Sequence, residues 1–381
     1  MPGKHSVLPP SSAKRWINCP PSAIENAIAS ESDSVHAREG TVAHALAETE
    51  AGKHFGLIND YAYSAALSVV HDAEEWNPEM TEYISRHVEI LQDLYDEFPE
   101  KPVVKLETRV DMRRWAPECW GTADVVMIGI DTVHIIDLKY GKGVEVDANH
   151  NPQMMLYALG VLDKYGDLFD FETVKMSIIQ PRLNNYPSTF EMKRTELLEW
   201  AEEVLKPAAE LAVKGEGNRA CGDWCRWCCN NGNCAKQLEE FEALPVDTDP
   251  NHLTDAQITH ALELGEMLNN WLDAVRSLTL QRCLDGKALD GWKAVEGRSN
   301  RTWSDQQKAF EAARLNGVPD EMLYERKPLS VAGLEKLIGK KKFSEIMSDY
   351  IARDPGKPTL AKASDKRDAI TNEASVEDDF K

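Results

Sequence analysis

The chain has 381 residues, of which 42% are hydrophobic, and a formal net charge of −21 at pH 7. This length is enough to bury one sizeable core and a smaller second one. No apolar stretch reaches the length of a membrane span, and residues 1–6 lack the apolar run of a signal peptide. We therefore expect a soluble, cytoplasmic protein.

The acidic excess is unevenly distributed along the chain. Residues 72–100 contain ten acids and one arginine, which predicts a solvated helical face. A basic group follows, and it consists of Lys101, Lys105, Arg109, Arg113, Arg114, Lys139 and Lys142. The net charge alone argues against a nucleic-acid partner, but this local basic group is compatible with one.

The hydrophobic spacing predicts helices first and strands afterwards. The expected helices cover residues 11–29, a stretch that opens at Gly40, residues 78–97 and residues 151–162. The expected strands cover residues 103–110, 123–128, 133–139 and 173–179. This order predicts an α/β fold with a mixed sheet flanked by helices.

The composition changes after Cys234. We expect a linker over residues 243–252, a long helix over 255–283, a small hairpin over 291–303 and two short helices within 330–351. The chain thus divides into an α/β domain (residues 1–242), a mainly helical region (243–353) and a disordered acidic tail (354–381). The tail ends in acids followed by Phe380, which suits either a solubilising segment or a docking peptide or DNA mimic.

Two aspartates and a lysine form the strongest local signal. Asp124 lies in the second predicted strand, and Asp137 and Lys139 close the third. Phosphodiester hydrolysis needs a hard divalent ion, and two carboxylates suffice to hold Mg²⁺. Side chains two apart leave the same face of a strand, so Lys139 lies beside Asp137. We predict a catalytic site here; the alternative is that the aspartates flank turns and the lysine is solvated.

The cysteines are crowded. Five of the eight fall within fourteen residues, and Cys19 stands roughly two hundred residues earlier. In a reducing compartment such crowding indicates metal or cluster ligation and not disulfides. A local zinc site could be closed by four of them, Cys221, Cys225, Cys228 and Cys234.

Together these motifs resemble the iron–sulfur branch of the PD-(D/E)XK nucleases, which includes AddB, RecB-like exonucleases and CRISPR-associated RecB-like exonucleases. The likeness covers roughly residues 10–240 and extends to phage and prophage proteins of the same class. It implies a restriction-endonuclease-like core with an iron–sulfur clasp. The implied ligands of a [4Fe–4S] cluster, which the resemblance favours over zinc, are Cys19, Cys225, Cys228 and Cys234.

The resemblance also implies a ligand set for Mg²⁺ or Mn²⁺. His44, four residues after Gly40, matches a histidine that would be the third protein ligand beside Asp124 and Asp137. The Leu138 carbonyl would also reach the ion.

Three further residues match positions outside the metal set. Gln153 and Tyr157 share one face of a helix, where the resemblance implies that they contact DNA or brace the site. Glu107 fits a strand carboxylate of the family, with a supporting role.

The implied function is a metal-dependent DNA exonuclease acting in phage or prophage replication or recombination, in the cytoplasm of a bacterial host cell. Hydroxide generated at the metal would attack in line, and Lys139 would orient it and offset charge in the transition state. The expected partners are single- or double-stranded DNA ends and a phage single-stranded-DNA-binding or recombination protein, with no membrane. The alternatives are an inactive iron–sulfur or zinc DNA-binding scaffold of a recombination complex, and RNA as the substrate.

Overall fold

A computed structural model describes residues 6–29, 35–184, 186–242, 255–287, 290–295, 306–315 and 339. The chain separates into two compact units, residues 1–295 and 296–381. In the second unit the described helix is α11 (Gln306–Leu315). Within the described ranges, no helix is long and apolar enough to cross a membrane. The linker, most of the hairpin, the two short helices and the tail that the sequence predicts lie outside these ranges.

Helices and a single sheet make up the described part of the first unit. The helices are α1 (Ala13–Asn18), α2 (Ser22–Ile28), α3 (Val35–His54), α4 (Asp60–His71), α5 (Pro78–Asp96), α6 (Pro152–Tyr165), α7 (Arg194–Trp200), α8 (Lys206–Ala212), α9 (Ala235–Glu242) and α10 (Asp255–Leu284). The strands are β1 (Val103–Asp111), β2 (Trp120–Ile128), β3 (Thr132–Leu138), β4 (Thr173–Ile179) and β5 (Ser188–Lys193).

The five strands form one mixed sheet in the order β1-β2-β3-β4-β5. The first three make an antiparallel meander, β4 runs parallel to β3, and β5 runs antiparallel to β4. Helix α6 is the crossover that a parallel pair requires. The prediction of an α/β fold with a mixed sheet flanked by helices is confirmed. Strand β5 and helices α4, α7, α8, α9 and α11 were not predicted.

The first helical stretch differs from its prediction. The expected helix over residues 11–29 is two helices, because Pro20 and Pro21 interrupt it directly after Cys19. Trp16 and Cys19 are nevertheless both buried, as their spacing predicts. Gly40 does not open α3 but lies inside it, where an added Cβ would meet nothing within 4 Å.

Each face of the sheet carries an apolar core. The core on one face joins α6 to strand residues such as Val126 and Ile135, and the core on the other joins α5 to Val125 and Ile136. Side chains that alternate along β2 and β3 therefore enter different cores.

Strands β1 and β2 exchange faces at one level of the sheet. Before this level Val104 belongs to the α5 core, and after it Val110 belongs to the α6 core, although both positions are even-numbered. The exchange occurs at Glu107, whose φ is +41°. The strand pairs on either side of it are kept, but no pair joins Glu107 to Asp124 directly opposite. Two carboxylates are thus released from the ladder at the same point.

A buried histidine makes the fold sensitive to acid. His134 is 0% exposed, and its Nε2 lies 2.8 Å from Ser177 Oγ. Burial, helped by the charge of Lys175, lowers the pKa of His134 to about 3. The unfolded chain takes up a proton near pH 6.5, whereas the folded chain does not, so this contribution to stability is complete above pH 6.5 and is lost towards pH 3.

We predict that the pH dependence of stability will be smaller in His134→Gln. The free energy of unfolding of the wild type should fall by about 2 kcal/mol from this residue alone between pH 7 and pH 5. Urea unfolding at both pH values measures the difference. His36→Gln is the matched control, because that side chain is 93% exposed. An equal loss in wild type and His134→Gln would contradict the prediction.

Candidate functional site

The site lies where β2 and β3 separate. Their pairing ends at Val125 and Ile136, so Asp124 and Asp137 stand just beyond the last pair. The Leu138 N–H donates a hydrogen bond of 2.7 Å to Asp124 Oδ2. The Asp124 side chain therefore satisfies an amide at the point where the strand pairing stops.

Three side chains converge at this point. His44 from α3, Glu107 from β1 and Asp124 from β2 each offer a ligand atom, and these atoms all lie within 4.8 Å of one another. His44 Nδ1 is 3.4 Å from Asp124 Oδ2. One imidazole nitrogen and two carboxylate oxygens are suitable ligands for Mn²⁺. The two carboxylates supply the oxygen ligands that Mg²⁺ prefers. This set, called the cation trio below, fits a divalent ion.

Burial and the closeness of like charges change the pKa values of the two carboxyl groups in the cation trio. Burial, with the neighbouring charges of Asp124 and Glu48, raises the pKa of Glu107 to about 7. Burial also acts against ionisation of Asp124, but the hydrogen bond and charge of His44 outweigh it and hold the pKa of Asp124 below its usual range. Close carboxylates repel each other unless a cation separates them. The arrangement therefore favours a bound cation.

Asp137 and Lys139 form a second group beside the cation trio. Lys139 Nζ lies 2.7 Å from Asp137 Oδ2, and Gln153 Nε2 donates to Asp137 Oδ1 at 2.9 Å. Burial raises the pKa of Asp137, and the Lys139 charge opposes this rise. Gln153 also contacts the Tyr157 hydroxyl at 3.5 Å. Helix α6 thus braces the acid–lysine pair.

The structure brings most of the predicted site residues together. His44 and Asp124 meet as expected, but the third member of the cation trio is Glu107 and not Asp137. Metal ligation by Asp137 and by the Leu138 carbonyl stays a prediction, since the structure engages Leu138 through its amide.

Gln153 and Tyr157 lie on the side of Asp137 that faces α6, where they support its carboxylate. Tyr157 is 7% exposed, so it offers almost no surface to DNA. Of the two roles that the sequence left open for this pair, the geometry favours support of Asp137.

One residue near the site was not predicted. His87 of α5 lines the same cleft as His44 and Asp124 and is 1% exposed, and its Nδ1 has no hydrogen-bond partner in the part of the chain that the structure describes. Burial lowers its pKa to about 4. The only signal in the sequence is its place in the apolar stripe of α5, which indicates burial but no role.

Gly121, three residues before Asp124, is packed closely against α6. A Cβ at this position would lie 2.9 Å from Tyr157 Cε1 and 3.1 Å from Pro10 Cγ. A glycine within a strand is a signal of such a close approach. Gly121 therefore admits the ring of Tyr157 against β2.

The cysteines gather at a separate place. Asp223, two residues before Cys225, forms an ion pair of 2.6 Å with Lys14 of α1. The carbonyl oxygen of Trp227 accepts a hydrogen bond of 2.7 Å from Arg15. Burial raises the pKa of the Cys19 thiol, while the backbone of Ala220 and the charge of Arg219 oppose this effect. The N-terminal helices therefore dock on the cysteine-rich segment, with Cys19 inside the contact.

The spacing of the cysteine sulfurs differs from that of a closed zinc site. All eight cysteines are described, and no three of their sulfurs lie within 4.8 Å of one another. A tetrahedral zinc site with Zn–S bonds of about 2.3 Å needs all four sulfurs closer than that. In a four-iron cluster each thiolate binds a different iron, which spaces the sulfurs farther apart. The local zinc site is thus not assembled in this structure.

The chain is similar to one protein family over most of its length and resembles a solved structure weakly. A family model described as "Protein of unknown function (DUF2800)" matches residues 5–368. One solved structure, titled "Crystal structure of SSO0001", is 14% identical, covers 57% of this chain and 93% of that chain, and has a TM-score of 0.21. A likeness of that size carries no argument about the site.

We predict that Glu107 contributes more to cation affinity than Asp137 does. Glu107→Gln should weaken Mn²⁺ binding at least about tenfold, a loss of about 1.4 kcal/mol, because it removes a charged ligand. Asp137→Asn should have a smaller effect. Titration of Mn²⁺ followed by electron paramagnetic resonance measures both, with Glu48→Gln as the control from the same cleft. A larger loss in Asp137→Asn than in Glu107→Gln would assign the ligand to Asp137 instead.

Proposed function

This chain belongs to the DUF2800 family, and we propose that it is a metal-dependent DNA exonuclease. The observation that carries the proposal is the position of the cation trio beside the Asp137–Lys139 pair, at one end of a mixed sheet. Hydrolysis of a phosphodiester needs a cation site and a positive side chain next to it. Both are supplied here by residues from four different elements, so the arrangement depends on the whole core.

Each residue has a distinct task in this proposal. A divalent ion at the cation trio would supply Lewis-acid stabilisation of the phosphate. Asp124 is held by His44 and by the Leu138 amide, which fixes its carboxylate before any ligand arrives. The Lys139 side chain is 29% exposed, so its ammonium can face a substrate phosphate and offset the charge that develops there. Asp137 orients that ammonium.

The proposal includes a structural [4Fe–4S] cluster held by Cys19, Cys225, Cys228 and Cys234. Two observations support it. Among the described residues, the buried Nε of Arg15 at the docked N-terminal helix has no hydrogen-bond partner. Burial lowers the pKa of the Arg15 guanidinium, and the charges of Cys228, Cys229 and Cys19 oppose this effect. A cluster with net negative charge would satisfy such a donor. It would also close a loop of roughly two hundred residues, where a clasp stabilises most.

The substrate and setting follow from the resemblance of the motifs. We infer that DNA ends are cleaved in phage or prophage replication or recombination, in the host cytoplasm. A single-stranded-DNA-binding or recombination protein is the proposed partner. Assays on single-stranded DNA, double-stranded DNA and RNA, each with and without Mn²⁺, discriminate between the substrates.

We predict that Lys139→Ala will lower DNA cleavage at least about a hundredfold, because it removes a charge that acts on the transition state. DNA binding and the unfolding temperature should change little. Lys142→Ala is the matched control, since Lys142 is exposed three residues further along the chain. Near-normal turnover of Lys139→Ala with Mn²⁺ would remove the basis of the proposal.

We also predict that anaerobically purified protein will be brown and contain about four irons per chain. Cys19→Ala should lose the colour and lower the unfolding temperature, although Cys19 is remote in sequence from the other ligands. Cys283→Ala, on α10, serves as the control. A colourless wild type with one zinc per chain, unaffected by Cys19→Ala, would contradict the cluster.

A further inference from the structure

One asparagine joins the N-terminal helices to the cysteine-rich segment. Asn26 of α2 donates from Nδ2 to Cys228 Sγ at 3.6 Å and to the Ser22 carbonyl oxygen at 2.8 Å. Its Oδ1 accepts the Cys229 N–H at 2.9 Å. A carboxamide has two N–H donors and one carbonyl, and all three are engaged here. This side chain is therefore fixed in orientation.

Its neighbour Glu25 strengthens the same contact. Glu25 accepts a hydrogen bond of 2.8 Å from Asn230 and one of 3.0 Å from Arg219. These residues lie on both sides of the cysteine pair at positions 228 and 229. Helix α2 thus contacts residues before and after the cysteine pair in sequence. Asn26 is the residue of α2 that donates a hydrogen bond to the Cys228 sulfur.

We propose that Asn26 is a positioning residue for a metal-bound Cys228 thiolate. Its N–H···S hydrogen bond offsets negative charge on the sulfur, and its Oδ1 fixes the adjacent Cys229 backbone. Hydrogen bonds to ligating sulfurs tune the reduction potential of iron–sulfur clusters, and loss of such outer contacts weakens metal binding. This inference rests on the proposed cluster and adds a residue that is not a ligand.

The test uses two variants of the full chain, loaded with iron anaerobically. Asn26→Asp keeps an oxygen for the Cys229 N–H but loses the donor to sulfur and adds a negative charge. Asn26→Ala loses both contacts. Asn18→Asp is the matched control, because Asn18 is exposed and its side chain donates to the carbonyl oxygen of Lys14 in its own helix.

Two readouts separate the role from simple support of the fold. Iron loss to a chelator should be about tenfold faster or more in both Asn26 variants than in Asn18→Asp. The midpoint potential should fall in Asn26→Asp, because a carboxylate replaces the donor beside the sulfur. A residue that only docks α2 would alter the first readout without shifting the potential of Asn26→Asp.

The outcomes also separate this inference from the cluster itself. Wild type that holds neither iron nor zinc would overturn both. A loaded wild type whose iron-loss rate and potential are matched by Asn26→Asp would overturn the role of Asn26 and leave the cluster intact. If zinc is bound instead, the cluster is wrong, and the rate of zinc loss from the same variants decides whether Asn26 supports a thiolate site.

Discussion

The crowding of carboxylates at the end of the sheet is the constraint on which the rest of the site depends. Glu107, Asp124 and Asp137 lie within one break in the strand pairing, partly or wholly removed from water. Ionised groups in such a place repel each other and lose hydration. The positive groups at this point are the imidazole of His44 and the ammonium of Lys139. Three ionised carboxylates exceed these two groups by one negative charge, which a bound cation would balance.

The break in strand pairing requires an unfavourable backbone conformation at Glu107, and contacts in the surrounding structure offset its free-energy cost. A glutamate with φ of +41° occupies a backbone region that side chains disfavour, at a cost of about 1–3 kcal/mol. The pairs flanking Glu107 keep β1 and β2 in register, and apolar cores cover both faces of the sheet. Because those contacts fix the two strands, Glu107 stays opposite Asp124 despite its unfavourable backbone conformation. Strain at this residue and proximity of the two carboxylates therefore have the same origin.

The sequence was sufficient for features that depend on local spacing. Alternation predicted the strands that carry Asp124 and Asp137, with Lys139 at the end of the second, because side-chain direction in a strand follows from residue number. The sequence named Glu107 only as a supporting carboxylate, because its place in the cation trio depends on a positive φ that strand alternation does not predict. His87 was missed for a related reason, because its position in an apolar helix face indicates burial without showing which cleft it lines.

Both proposed metal sites draw on the N-terminal helices. Cys19 and Asn26 lie at α1 and α2, while His44 comes from α3, and each meets residues contributed by later elements. Trp16 and Ala23 anchor α1 and α2 in the α6 core, whereas Leu46 lies in a further core that includes α5. The helices that carry the two sites are thus fixed on different faces of one sheet. A clasp at the cysteines would limit how far α1 and α2 can leave the sheet, and it would do so without touching the cation trio. This separation is consistent with the proposal that the cysteine site is structural and the cation trio catalytic.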